Sequence, residues 1–382
     1  MPLKLNWGLV GGGETSQIGS AHRIGARLDG HFELVAGALD IDPVRAREFA
    51  VRLGVPEDRA YGDWREMLGR EKGLPTYGRL DLVTVATPNS THHEISKAFL
   101  EAGFHVLCEK PLTMTLADGE DLVRTARDAD RILAVNYGYS GYPMVRQARS
   151  MVRDGKLGRI RIVVAEFSHG SHADAAVADN PSVRWRYDPE QTGVSSVLAD
   201  AGLHALHMAC FVIGQQVTRV SADFVSVIES RELEDDALLA LRFAGGATGR
   251  LWTSAVAVGQ QHGLNLRVFG ELGGLRWVQE HPNQLYWTPL GKPTRTLERG
   301  DVRLSEEARL ATRITIGHAE GFPGAIANIY SNLAETIRAR NEGRAPHPAA
   351  TWYPAGEEGL QTLAVVHAAA RSARKGGTWV EP

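Results

Sequence analysis

The chain is poor in cysteine, with two in 382 residues, Cys108 and Cys210. Two thiols cannot build a disulfide framework, and neither has metal-type spacing, so a reducing compartment is expected. Cys108 reads as small buried filler, with a reactive thiol as the alternative. A dominant charge of one sign is also missing. Lys and Arg number 42 against 45 Asp and Glu, a formal net charge of −3. That excludes the basic field expected of a nucleic-acid or membrane-surface binder. No apolar run approaches the ~20 residues that cross a bilayer. The N-terminus shows no basic segment followed by an apolar one, so a cytoplasmic location is expected. Internal repeats and low-complexity tracts are absent as well.

What is present is ordinary for a globular protein: 43% hydrophobic and 23% charged residues. The length allows two domains with sizeable cores. The first third alternates strand and helix signals. Strands are expected over 5–10, 32–39, 80–86, 105–108 and 132–136, and helices over 18–28, 43–53, 93–102 and 115–130. This alternation predicts parallel βαβ units in a Rossmann-type sheet. Later the pattern changes to mostly strands, over 160–167, 220–227, 237–243, 247–256, 264–269, 275–278 and 285–287, with helices over 197–213, 325–341 and 357–374. Asn265-Leu266-Arg267-Val268-Phe269 alternates polar and apolar residues, as an antiparallel sheet with two unlike faces does. The expected fold is α/β. A dinucleotide-binding domain would span 1–136, and an α+β domain with a large open, mainly antiparallel sheet 137–382.

Gly11-Gly12-Gly13 follows the first strand directly, and Ile18-Gly19 opens the next helix. Glycine suits a tight turn approaching a pyrophosphate, with the helix N-terminus facing the phosphates. Glu14 to Gln17 make the loop longer than G-x-G-x-x-G, so Ser16 becomes an extra hydroxyl donor beside Gly11, Gly13 and Ile18. A flexible loop before a helix is the plain alternative. Asp40 ends the second strand, where an acid binds the adenosine ribose hydroxyls. A carboxylate there repels a 2′-phosphate and favours NAD over NADP. Arg45 keeps NADP open, and a turn residue before Asp42-Pro43 is the alternative for Asp40. Thr87, Asn89 and His92 lie at the same sheet edge as candidate cofactor contacts, against a plain βα turn. Glu109 and Lys110 join them from Cys108-Glu109-Lys110-Pro111.

Oxidising a carbinol needs a group to take the hydroxyl proton, and a histidine titrating near neutrality suits that task. Asp200 and His204 are four apart in a helical stretch and share one face, with Gly202 between them leaving room for a ligand. A carboxylate near an imidazole raises its pKa and orients it. The ammonium of Lys110 favours an alkoxide and positions the hydroxyl. Asp200 and His204 could instead be a surface ion pair, or metal ligands together with His207. A third strong ligand is not apparent, so no metal is expected and His207 reads as a packing residue. Arg186, Tyr142 and His318 are further candidates for substrate contact, and Arg186 for the cofactor. His169 and His172 flank a glycine–serine loop and read as structural, as does Tyr139.

These residues in this order resemble the Gfo/Idh/MocA oxidoreductases. The resemblance rests on Gly11-Gly12-Gly13 with Ile18-Gly19 and His22, Asp40, Thr87-Pro88-Asn89 with His92, Glu109-Lys110-Pro111, and Asp200-x-Gly202-x-His204. It implies that Lys110, Asp200 and His204 are the catalytic lysine, aspartate and histidine, and that the Lys110–Pro111 peptide is cis. It also implies a homo-oligomer, dimer or tetramer, formed on the open sheet. The implied activity is NAD-dependent oxidation of a secondary hydroxyl on a cyclic polyol or pyranose, with scyllo- or myo-inositol first and glucose-type sugars next. The alternatives are an NADP-dependent keto-sugar reductase or a dihydrodiol dehydrogenase of the same fold, a non-catalytic nucleotide-binding sensor, and a metal-dependent isomerase or lyase. The long loop after Gly13 departs from the family's commonest pattern.

Overall fold

A computed structural model of the protein describes residues 3–382, apart from the side chains at 178, 179, 181 and 182. The chain forms two compact units.

Unit 1 holds residues 1–113, 117–141 and 322–360. Its elements run β1 (Leu5–Gly11), α1 (Gln17–Leu28), β2 (Phe32–Ala38), α2 (Pro43–Arg52), α3 (Trp64–Glu71), β3 (Leu82–Ala86), α4 (His92–Glu101), β4 (His105–Cys108), α5 (Leu116–Asp128) and β5 (Leu133–Val135). The five strands pair in parallel in the order β2-β1-β3-β4-β5. Burial explains their composition: every residue of β3 and β4 is buried, as strands covered on both faces must be. Asp42 caps α2 by accepting the backbone N–H groups of Val44 and Arg45, with Pro43 in the first turn, where a missing N–H leaves nothing unpaired.

Unit 2 holds residues 114–116, 142–321 and 361–382. It contains α6 (Pro143–Arg153), β6 (Ile160–Ser168), α7 (Pro181–Arg184), α8 (Pro189–Thr192), α9 (Leu203–Ile213), β7 (Val217–Val225), β8 (Asp236–Phe243), β9 (Thr248–Ser254), β10 (Asn265–Gly270), β11 (Gly273–Val278), β12 (Gln284–Pro289), β13 (Arg295–Glu298) and α10 (Glu306–Leu310). The eight strands form one sheet, β13-β12-β11-β10-β6-β9-β8-β7. Its pairs are antiparallel except β6 with β9, which run parallel. Helices α6 and α9 pack on one face. The other face presents Ile162, Leu238 and Phe269 to solvent, with Trp252 beside Leu238 in the register.

The chain closes with α11 (Phe322–Asn341) and α12 (Gly356–Arg374). A single boundary near 136 assigns α11 to the second half, yet its contacts place it in unit 1. The reason is packing. Ile326, Ile329, Tyr330, Leu333 and Ile337 of α11 join Trp7, Leu9, Phe32 and Leu107 in one buried cluster. The Tyr330 ring meets Trp7 and Phe32 edge-on at 5.7 and 5.6 Å, a favoured aromatic geometry.

Candidate active site

The glycine turn of unit 1 is set by close approach. Gly11 has φ 75°, and a Cβ on it would lie 2.4 Å from the Ala86 carbonyl oxygen. Only glycine lets β1 turn against the end of β3 in this way. Helix α1 then enters so tightly that a Cβ on Gly19 would sit 2.2 Å from the Gly12 oxygen. The extra loop residues supply the cap: Ser16 Oγ accepts the Gly19 N–H at 3.0 Å. That hydroxyl keeps its own proton to donate. By their position in the first turn, Gln17 and Ile18 leave backbone N–H groups available to an anion, aided by the helix dipole.

Asp40 follows β2. Its Oδ1 accepts Arg45 Nη2 and the Asp42 N–H, both at 2.9 Å, and the Arg45 hydrogen bond holds the carboxyl below the usual range. Both side chains are solvent-facing, so the pair is weak and ribose hydroxyls can compete for the carboxylate. Arg45, the residue that keeps NADP open, is engaged with Asp40. Thr87 Oγ1 accepts the Thr91 hydroxyl at 2.8 Å. Asn89 opens a 3₁₀ turn over Asn89–Thr91 and is half-buried.

The Lys110–Pro111 peptide is cis, and Lys110 is half-buried. Glu109 beside it is only 6% exposed. Its Oε1 takes hydrogen bonds from His22 Nε2 at 2.9 Å and Asn136 Nδ2 at 2.5 Å. Burial alone raises this carboxyl; the His22 and Asn136 bonds and the Lys110 charge outweigh that and hold it below the usual range. His92, expected to touch the cofactor, is 0% exposed. Its Nδ1 and Nε2 meet the carbonyl oxygens of Pro111 and Thr87 at 2.8 and 3.0 Å. The ring is therefore committed to the protein's own backbone, which corrects a direct cofactor role.

In unit 2, the stretch read as one helix begins with a π turn, Leu198–Gly202, before α9. Such turns gather at functional sites. Asp200 lies in the π turn and His204 in the first turn of α9. The Asp200 Oδ2 accepts Arg186 Nε at 3.2 Å, so two expected substrate residues meet directly. The Arg186 guanidinium lies over Trp185, 4.5 Å from the ring centroid. The Phe167 ring is 6.0 Å from His204 and 5.7 Å from His262. His169 and His172 stand edge-on at 5.5 Å, and His172 Nδ1 is 2.7 Å from the Tyr187 hydroxyl. Burial lowers both imidazoles, His172 to about 4. Read as structural from the sequence, His169 and His172 join His204 in one group of rings through Phe167, whose centroid is 6.4 Å from His169.

The π turn is anchored by a residue with no motif. Glu234, 4% exposed, accepts the Ser195 hydroxyl at 2.6 Å and the Ser196 and Leu198 N–H groups at 3.0 and 3.3 Å. Burial pushes its carboxyl up to about 7 despite these donors. Gly202 does not leave room for a ligand, because a Cβ there would lie 2.8 Å from Thr253 Cγ2 and Leu198 Cδ1. It lets the turn pack on β9. Tyr142, expected at the substrate, is 3% exposed with its ring 5.3 Å from Trp277, which places it in the helix–sheet core. His318 is exposed, 3.3 Å from Thr315 Oγ1. His207 is buried and stacked on Phe211. Among the described residues, no three His, Cys, Asp or Glu side chains are arranged to hold a metal. No helix there is long and apolar enough to cross a membrane. Lys110 belongs to unit 1; Arg186, Asp200 and His204 belong to unit 2.

Residues 5–137 match the model of the oxidoreductase family with an NAD-binding Rossmann fold. Residues 145–276 match the GFO/IDH/MocA C-terminal domain. The chain is 37% identical over 381 residues to the uncharacterized oxidoreductase YfiI of Bacillus subtilis, covering 99% of this chain and 96% of that one. Two solved structures of an inositol dehydrogenase homolog from Azotobacter vinelandii are similar throughout. With NAD+ bound, that homolog matches at TM-score 0.94 and 41% identity, covering 100% of this chain and 98% of the other. With NADH and myo-inositol, the TM-score is 0.91 at the same identity and coverage.

Proposed function

The chain belongs to the Gfo/Idh/MocA family of oxidoreductases, and on that premise we propose that it oxidises a secondary hydroxyl of a cyclic polyol with NAD+, an inositol first. The observation that carries this reading is the pairing of Asp200 with Arg186 on the π turn that leads directly to His204. In a relative alike over the full chain, an inositol accompanies NADH.

The residues of unit 1 fit a dinucleotide. The first turn of α1 and the Ser16 hydroxyl would hold the pyrophosphate. Asp40 would take the adenosine ribose hydroxyls, with Thr87 and Asn89 beside it. NAD+, when bound, supplies the hydride acceptor. The remaining work falls to side chains. The Lys110 ammonium holds the substrate oxygen and stabilises it as its proton leaves. His204 takes that proton. Asp200 carries the negative charge that favours the resulting imidazolium, and Arg186 fixes the Asp200 carboxylate. The imidazoles of His169 and His172, lowered by burial, offer both donors and acceptors to neighbouring hydroxyls at neutral pH.

A NAD preference rests on Asp40, since a carboxylate repels a 2′-phosphate and Arg45 is already turned onto it. An oligomer rests on the uncovered sheet face, where Ile162 is 44%, Leu238 52% and Phe269 42% exposed. Apolar side chains grouped on one sheet face favour a second copy of the chain. Light scattering at micromolar concentration reads the mass directly; a monomer refutes that part.

The assay is a panel of inositols and pyranoses with NAD+ and with NADP+, followed at the NADH absorbance band. Turnover of an inositol with NAD+ above the sugars supports the reading. No turnover of any member, with nucleotide binding intact, supports the non-catalytic sensor instead.

A further inference from the structure

The turn that carries Lys110 is gripped on both sides by a buried imidazole. On the near side, His22 of α1 is 0% exposed and reaches the Glu109 carboxylate. Glu109 Oε2 in turn accepts the Lys110 N–H at 3.2 Å, and the Glu109 N–H donates to Val85 O at 2.9 Å. On the far side, His92 of α4 binds the carbonyl of Pro111 and ties it to that of Thr87. Two strand-end turns, at β3 and β4, are thus joined through one ring.

Donor counting places a proton on one nitrogen of His22 and on both of His92. The Trp7 indole, a donor only, gives its N–H to Thr84 Oγ1 at 2.9 Å. The Thr84 and Tyr330 hydroxyls share a hydrogen bond at 2.9 Å, and the Tyr330 hydroxyl lies 2.8 Å from His22 Nδ1. His22 carries a proton on Nε2, the nitrogen that faces the Glu109 carboxylate and donates to it. For His92 the count differs. Backbone carbonyls only accept, so two short contacts to carbonyls require protons on both nitrogens. Burial opposes that charge; the Cys108 sulfur beside it and the two carbonyls more than offset the burial and raise the imidazole to about 9.

We propose that His22 and His92 are positioning residues for Lys110, one holding the carboxylate before it and the other the carbonyl after it, so that the ammonium is presented in one place. The proposal rests on the reading of Lys110 as the group that holds the substrate oxygen. It also gives a use to two fully buried polar rings that the chemistry itself does not touch. Their loss would loosen the backbone of the turn, and a displacement of about 1 Å at a reacting group costs roughly a hundredfold in rate.

The test compares His22→Ala, His92→Ala and Lys110→Ala, alone and combined, with myo-inositol or the panel member oxidised fastest, and NAD+. Each histidine variant should lower kcat about tenfold to a hundredfold while the KM for NAD+ changes little. His22→Gln should recover most of the loss, because an amide can donate to Glu109 and accept from Tyr330. In the Lys110→Ala background neither histidine variant should lower the residual rate further. Histidine variants that keep wild-type kcat while Lys110→Ala loses it overturn the positioning role alone. So do losses that multiply in full on Lys110→Ala. A fully active Lys110→Ala overturns the proposed function, and this inference with it. Should the alanine variants fail to fold, nitrogen NMR of labelled histidine in the wild-type chain decides. His92 protonated on both nitrogens, and a proton on His22 Nε2, are expected. A neutral His92, or a His22 whose Nε2 carries no proton, refutes the anchoring scheme.

Discussion

Gly19→Ala tests the cofactor cradle by adding one methyl group. The new Cβ would lie 2.2 Å from the Gly12 oxygen and 2.5 Å from two further Gly12 backbone atoms. Ordinary contact requires about 3.5–4.0 Å, so α1 and the glycine turn must part by more than 1 Å. Neither partner is a flexible side-chain end. The Gly12 carbonyl is additionally held by Arg23 Nη1, and the Gly12 N–H by Ala86 O at 2.9 Å. The movement therefore falls on the first turn of α1, whose N–H groups would hold the pyrophosphate. Lost hydrogen bonds to a charged group cost about 1.5–3 kcal/mol each, so NADH affinity should fall at least tenfold. Overpacking also destabilises the fold by about 1–3 kcal/mol. The control is Gly69→Ala in α3, where nothing lies within 4 Å of the added Cβ and φ is not positive. That change should stabilise by about 0.4–1 kcal/mol and leave NADH binding alone. Isothermal titration with NADH, with thermal unfolding of both variants, makes the comparison. A Gly19→Ala protein that binds NADH as tightly as the wild type would refute the assignment of this turn to the phosphates.

The other predictions follow from charge. Asp40→Ala should raise the KM for NAD+ and narrow its preference over NADP+, since Arg45 loses its partner; an unchanged ratio of the two kcat/KM values contradicts the ribose role. Glu234, raised by burial to about 7, is favoured as the neutral acid in the fold, so the stability it contributes is full below pH 4.5 and is lost as pH rises through 7. Glu234→Gln keeps an acceptor for Ser195, Ser196 and Leu198 and should stabilise by about 1–3 kcal/mol at pH 8 but not at pH 4.5, whereas Glu234→Ala should destabilise at both by leaving those donors unpaired. Burial, then Arg131, lowers His105 to about 3, and its Nδ1 accepts the Ile132 N–H at 2.9 Å. Its contribution is full above pH 6.5 and lost as pH falls toward 3; His105→Asn should flatten the acid limb of unfolding by about 1.4 kcal/mol per pH unit, and an unchanged slope excludes that assignment.

Much of unit 1 was legible because its signals are local. Mainly apolar runs marked β3 and β4, and Pro43 after Asp42 marked the start of α2. The helix α6 was missed although its apolar and polar residues are well segregated; Arg146, Gln147 and Ser150 are nonetheless buried in it. The parallel pairing of β6 with β9 is a long-range choice that no local period records. Around the candidate site, the residues with a motif were legible and the contacts between them were not. Asp200 and His204 stand out by type and spacing and Arg186 was a candidate, but its pairing with Asp200 from a loop was not legible, nor was Glu234, which caps the π turn from 34 residues beyond Asp200, near the start of β8. The π turn itself has no apolar period to betray it. His92 shows the opposite failure, since a histidine at a strand-end turn reads as a ligand contact until both ring nitrogens are traced to carbonyls. The α11 boundary was hidden because its apolar face says that it packs, not on which unit.

Initial rates of NAD+ reduction with myo-inositol, measured beside NADH binding for the wild type, Lys110→Ala and His204→Ala, test the proposed chemistry most directly. The wild type should turn over. Both variants should bind NADH normally and lose about a hundredfold or more in kcat, the size of a general acid–base or electrostatic contribution. Variants that oxidise inositol at the wild-type rate would contradict the assignment of the proton and the oxygen to these two side chains.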